Sequence, residues 1–141
     1  MSRLLSAIET ILGRPTGRLP DFIGIGAQRA GTTTLHELLR RHPEAFLPDE
    51  KEVQYFSRHH HRSLRWYAAK FAAAEPGRCV GEISPYYLFH PEAPARIAAV
   101  LPDVKLVTLL RDPVERAISG YFHARRHGME PLPIEAAFRA E

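Results

Sequence analysis

Apolar residues along this chain fall alternately into short continuous runs and into stripes at helical spacing. Leu4, Leu5, Ile8, Ile11 and Leu12 share one stripe, which predicts a short amphipathic helix. Residues 13–20 are rich in glycine and proline and read as a linker. Residues 22–26 (FIGIG) form an apolar run of strand length, followed by a glycine-bearing loop. A helix is predicted over 33–41 through Leu35, Leu38 and Leu39, ended by His42-Pro43. Ser63 is placed to cap a second helix carrying Trp66, Tyr67 and Phe71. Residues 78–82 predict a brief strand and 91–100 a helix with Ile97 and Val100 facing inward. KLVTLL (105–110) is the clearest strand, apolar enough for a central parallel position. Residues 112–127 predict the longest helix, with Pro113 in its first turn.

Strands alternating with helices predict an α/β fold of three layers, P-loop-type, with a central parallel sheet flanked by helices. The domain reading is an N-terminal helix and linker over 1–20, then one domain over 21–141. The last segment, PIEAAFRAE, starts an amphipathic helix without a C-cap signal. The chain is therefore expected to be the N-terminal portion of a domain incomplete at its C-terminus.

Composition is that of a globular protein, with 45% hydrophobic and 25% charged residues. The net charge of +3 is mild, and lysine occurs only at Lys51, Lys70 and Lys105, so arginine carries most of it. Arginine suits bidentate recognition of phosphate or sulfate. A nucleic-acid partner is not expected. Cys79 is the only cysteine, which excludes an internal disulfide and fits a reducing, cytoplasmic compartment. Glu9 breaks the N-terminal apolar stretch, so neither a signal peptide nor a membrane span is expected.

The sharpest chemical signal is Gly26-Ala27-Gln28-Arg29-Ala30-Gly31-Thr32-Thr33, between a predicted strand and a predicted helix. Glycines let the backbone turn its N–H groups toward an anion, and the helix start adds unpaired N–H groups and its positive dipole end. The spacing is that of a Walker A loop, but Thr32 stands where the lysine belongs, which argues against ATP hydrolysis. The cation has moved back to Arg29. A second anion element is predicted at Arg111, at the C-terminal end of a strand, with Ser119 eight residues later in the following helix. Ligands gather at that end of parallel strands, so the two elements are expected to meet one ligand.

Gln28-Arg29-Ala30-Gly31-Thr32-Thr33-Thr34-Leu35 resembles the 5′-phosphosulfate loop of the sulfotransferases that use 3′-phosphoadenylyl sulfate (PAPS), particularly the heparan sulfate type and its bacterial relatives. Many of those carry lysine where this chain has Arg29. Residues 111–121 resemble the family's 3′-phosphate element, R-D-P-x-x-R-x-x-S-x-Y, at Arg111, Asp112, Pro113, Arg116, Ser119 and Tyr121. The resemblance implies that Gln28 to Thr34 hold the 5′ side of PAPS and that Arg111 and Ser119 hold its 3′-phosphate. Lys51-Glu52-Val53-Gln54-Tyr55-Phe56 resembles the family's K-E-x-x-[FY]-F segment, which implies that Glu52 is the catalytic base, with Lys51 and Arg29 beside it.

Gly81 to Tyr87 resembles G-E-K-[ST]-P-x-Y at the acceptor cleft, with Ile83 where lysine is common. Ser84, Pro85 and Tyr86 are thereby implied on the acceptor side, and the departure at Ile83 points to a less acidic acceptor.

The implied reaction moves a sulfuryl group from PAPS to a hydroxyl or amine of a small molecule or glycan, with no metal. His59-His60-His61 has no spaced ligand partner and reads as a solvated loop. Two other readings stay open: a degenerate P-loop kinase or NTPase, and a module that binds nucleotide or sulfated glycan without catalysis. The sequence says nothing of oligomeric state.

Overall fold

The computed structural model describes residues 17–140, so the predicted N-terminal helix lies outside the described residues. The chain divides into two compact units after Leu109. The larger unit holds a four-stranded, wholly parallel sheet in the order β2-β3-β1-β4. Its strands are β1 (Phe22–Gly26), β2 (Ala45–Phe46), β3 (Cys79–Ile83) and β4 (Lys105–Thr108). The helices between them are α1 (Thr32–Arg40), α2 (Leu64–Ala69) and α3 (Ala93–Val100), with a 3-10 turn at Pro85–Leu88. The predicted α/β class and parallel sheet are observed.

The period-two alternation of side chains sends the two central strands' residues to opposite faces. On one face, Phe22 and Ile83 pack with Ala45 and Leu47 beneath Leu35 and Leu39 of α1. Gly81 is required there, because a Cβ at that position would lie 2.1 Å from the Phe22 ring. On the other face, Ile23 and Val80 enter the main core with Val53, Phe56, Tyr67, Phe71 and Tyr87. Leu38, predicted on the buried stripe of α1, is instead 63% exposed. His36 takes the inward place and is buried.

Two sequence expectations are corrected by the sheet. β4 is shorter than the predicted 105–110 strand, and among the described residues it pairs only with β1, so it is an edge strand. Leu106 is accordingly exposed. β2 was not predicted, since two residues are too few for a period to be visible. Ser63 does cap α2, its Oγ accepting from the Trp66 N–H at 3.2 Å.

Glu82, on β3, points into the main core and is fully buried. Its Oε1 accepts from the hydroxyls of Tyr67 at 2.6 Å and Tyr87 at 3.1 Å. Its Oε2 accepts from Ser84 Oγ at 2.8 Å. The same groups reach the segment after β2: Gln54 N–H donates to Ser84 Oγ at 3.1 Å, and Phe56 N–H to Tyr87 Oη at 3.3 Å. From α3, Arg96 clamps the Phe56 carbonyl at 3.1 Å. The polar cluster thus fixes the path of residues 51–57 across the end of the sheet.

The smaller unit contains α4 (Pro113–Arg126) and α5 (Ile134–Ala140). Asp112 caps α4, accepting from Glu115 N–H at 3.0 Å, and Pro113 takes the first helical position as predicted. Tyr121 donates its hydroxyl to the Leu132 carbonyl at 3.0 Å, and Arg125 reaches the Pro131 carbonyl at 2.9 Å, which folds the connection back onto α4.

Burial raises the Glu82 pKa from 4.5 to about 6, against three hydrogen bonds that lower it. The folded state therefore holds this proton more tightly than the unfolded chain, and stability declines as pH rises from 4.5 to 6. The loss is about 2 kcal/mol, at ~1.4 kcal/mol for each pH unit. Urea denaturation of wild type and Glu82→Gln at a series of pH values checks this: their stability difference should move by about 2 kcal/mol in favour of the variant between acid and neutral pH. Parallel profiles would refute it.

A second expectation follows from the close contact at Gly81. Gly81→Ala should destabilise by roughly 1–3 kcal/mol, read as a drop in Tm, because the Phe22 ring must shift to clear the added methyl.

Candidate functional site

The loop from β1 to α1 is held open at one end of the sheet. Ala27 N–H donates to the Leu109 carbonyl and Leu109 N–H to the Gly26 carbonyl, both at 2.8 Å, so the loop's entry is tied to the chain leaving β4. Ala30 N–H closes a turn onto the Ala27 carbonyl at 3.3 Å. Arg29 and Gly31 both lie in the left-handed region, at φ 65° and 93°. Left- and right-handed residues in alternation turn successive N–H groups into one concavity. Gly31 is also the N-cap of α1, and no acidic residue lies in that helix's first turn, so its positive end is uncompensated. Gln28, Arg29, Gly31, Thr33 and Thr34 are exposed, Ala30 is half-buried and Thr32 is buried. The arrangement suits an anion.

Beside α1 runs the Lys51–Gln54 segment. Lys51 Nζ lies 2.6 Å from Glu52 Oε1, and Gln54 Nε2 donates to Glu52 Oε2 at 3.1 Å. Both carboxylate oxygens are therefore held, while the Glu52 side chain stays 31% exposed. Val53, Tyr55 and Phe56 are buried and anchor the segment. Glu52 and Gln54 adopt φ of 63° and 54°. With Arg29, they are the non-glycine residues found in the left-handed region among the described residues. Such backbone costs about 1–3 kcal/mol per residue and persists where surroundings enforce it.

His36 is buried between α1 and this segment. Burial lowers its pKa, and the positive charges of Lys51 and Arg40 lower it further. A neutral imidazole therefore lies next to the cations at neutral pH.

After β3, Ser84 and Pro85 are buried, and Ser84 Oγ is occupied by Glu82 and by Gln54 N–H. Ser84 lies beneath the site, supporting Gln54. Tyr86 is half-buried, with the Arg58 guanidinium 5.6 Å above its ring. Ile83 faces away from this cluster, into the packing under α1. Tyr87 is buried and serves Glu82, so the tyrosine pair divides between surface and core.

The larger unit contains Gln28 to Thr34, Lys51, Glu52 and Ser84, and within it Gln54 links the Lys51–Glu52 pair to Ser84. Arg111 and Ser119 belong to the smaller unit. There Arg111 is exposed at the start of α4, its Nε 3.3 Å from Glu115 Oε2, and Ser119 is half-buried on the helix. Sequence reasoning missed Gln54 as a site residue. Only its place between Glu52 and two aromatic core residues could have flagged it.

Comparison with known proteins agrees with this chemistry. A family model described as the sulfotransferase domain matches residues 19–140. The chain is 39% identical over 106 residues to a membrane-associated sulfotransferase, kil1, of Dictyostelium discoideum, covering 73% of this chain and 22% of that protein. It is 40% identical over 114 residues to the heparan sulfate glucosamine 3-O-sulfotransferase 3A1 of Mus musculus, covering 81% of this chain and 29% of that one. A crystal structure of a sulfotransferase from Alicyclobacillus acidocaldarius superposes with a TM-score of 0.76 at 32% identity, over 84% of this chain and 55% of that one. The chain spans less than a third of the length of these two curated relatives. It belongs to the sulfotransferase domain family.

Proposed function

We propose that this chain is the donor-binding and base-bearing portion of a PAPS-dependent sulfotransferase acting on a hydroxyl or amine. The observation that carries the reading is the open, left-handed loop at Arg29 and Gly31, in the same unit as a Glu52 carboxylate held at both oxygens. The donor set fits the group: backbone N–H donors, exposed Thr33 and Thr34 hydroxyls and a guanidinium suit a phosphosulfate. PAPS supplies the activated sulfuryl group. Gln28 to Thr34 hold its 5′ side, and Arg111 and Ser119 its 3′-phosphate.

Glu52 takes the proton from the acceptor as the acceptor's oxygen or nitrogen forms its bond to sulfur. The bond from sulfur to the bridging phosphate oxygen breaks in line, leaving adenosine 3′,5′-bisphosphate. Arg29 and the positive end of α1 offset the charge that develops on that oxygen. Lys51 holds Glu52 and faces sulfate or acceptor. With Ile83 turned into the packing under α1, the acceptor cleft lacks a cation at that position, which favours a weakly acidic acceptor such as a neutral glycan or small alcohol. A reducing cytoplasm fits the free, exposed Cys79.

Calorimetry and a transfer assay with labelled PAPS test this. Adenosine 3′,5′-bisphosphate should bind in EDTA, and Arg29→Ala should weaken that binding by about tenfold or more, ~1.4 kcal/mol. Glu52→Gln should lower kcat by roughly 10²–10⁴-fold while leaving nucleotide binding intact. A preference for Mg-ATP would overturn the reading in favour of a kinase or NTPase, and undiminished transfer by Glu52→Gln would remove that residue as base.

A further inference from the structure

We propose that Gln54 is a positioning residue, which aims the Glu52 carboxylate at the acceptor and ties it through Ser84 to the buried Glu82 carboxyl. The inference rests on the proposed role of Glu52 and deepens it.

The chain of contacts is continuous. Gln54 Nε2 donates to Glu52 Oε2 at 3.1 Å. Its main-chain N–H donates to Ser84 Oγ at 3.1 Å, and Ser84 Oγ donates to Glu82 Oε2 at 2.8 Å. Its carbonyl accepts from His59 N–H at 3.0 Å, Ser57 N–H at 3.3 Å and Ser57 Oγ at 3.3 Å. A left-handed glutamine is thereby fixed by both its backbone polar groups, and nine-tenths of its surface is buried. Its side-chain amide oxygen accepts from Ser57 Oγ at 3.5 Å, and its amide nitrogen goes to Glu52.

The second contact, Lys51 Nζ on Oε1, comes from a half-buried residue on the same segment. A lysine alone would leave the carboxylate free to rotate about it. The rigid amide on the other oxygen sets the plane, so that one lone pair is turned to a fixed direction. The charged group in contact with this carboxylate is Lys51 from its own segment, whose charge also reaches His36 of α1, and Glu82 of β3 lies behind Ser84.

Gln54→Leu and Gln54→Glu test the proposal, since neither removes the backbone bonds that fold the segment. Gln54→Leu should lower kcat by roughly tenfold to a hundredfold, with KM for PAPS changed by less than about twofold, because orientation and not donor binding is lost. In Gln54→Glu the two adjacent carboxyls share one proton. Transfer should then peak at acid pH, where the pair holds that proton, and fall toward neutrality, a reversal that a merely structural role would not produce.

Carboxyl ¹³C spectra of the chain, labelled at glutamate, read the contact without turnover. The Glu52 resonance should move in Gln54→Leu and titrate in two coupled steps in Gln54→Glu. Wild-type kcat and pH profile in both variants, with Glu52→Gln inactive, would overturn the positioning role and leave the base intact. Undiminished transfer by Glu52→Gln would overturn the base and with it the purpose of Gln54. An unmoved Glu52 resonance would overturn the contact itself.

Discussion

The buried carboxyl of Glu82 is the constraint on which the site's geometry depends. A carboxyl inside an aromatic core is costly unless its oxygens find donors, and here three hydroxyls converge on them. Each donor comes from a different piece of the fold: Tyr67 from α2, Ser84 from the end of β3 and Tyr87 from the 3-10 turn. Satisfying one buried group therefore fixes three elements together. Two of those donors pass the constraint on, because Ser84 and Tyr87 also accept from Gln54 and Phe56. An apolar residue at 82 would fill space equally well, but it would not determine where the Lys51–Phe56 segment lies.

That determination matters because the segment is under conformational strain. Glu52 and Gln54 sit in left-handed backbone, as does Arg29 in the anion loop. The three together cost several kcal/mol, at about 1–3 kcal/mol apiece. Residues free to relax would do so. The loop is prevented by its bonds to Leu109 and by the start of α1, and the segment by the Ser84, Ser57 and His59 contacts on Gln54. The strained positions coincide with the residues proposed as the loop cation and the base.

The anion loop was legible in the sequence because glycine spacing between a strand and a helix encodes backbone shape directly. The caps Ser63 and Asp112 were legible for a similar reason, since a side chain at a helix start acts within three residues. Long-range placement was not. The apolar letters of KLVTLL fit a central strand, yet nothing in them tells how many neighbours a strand acquires. Leu38 and Leu39 are indistinguishable by type, and only the packing under α1 half-buries one and exposes the other. Ser84 was implied on the acceptor side by a cleft motif, but its burial against Glu82 is something pattern alone leaves open. Gln54 was hidden because a glutamine between apolar residues carries no chemical flag.

Two buried titratable groups flank the Lys51–Gln54 segment, and they pull stability in opposite directions with pH. Burial depresses the His36 pKa below 6.5, so the folded state releases that proton first and stability rises as pH climbs through the window below 6.5. Glu82 is raised to about 6, so between 4.5 and 6 the folded state retains a proton the unfolded chain loses, and stability falls as pH climbs. A protonated imidazole would confront Lys51 and Arg40, and above about pH 6 the charged Glu82 carboxylate burdens the core. The core nevertheless tolerates a largely charged Glu82 at neutral pH. The three hydroxyl donors make that tolerance physical: each lowers the energy of the charged form that burial raises.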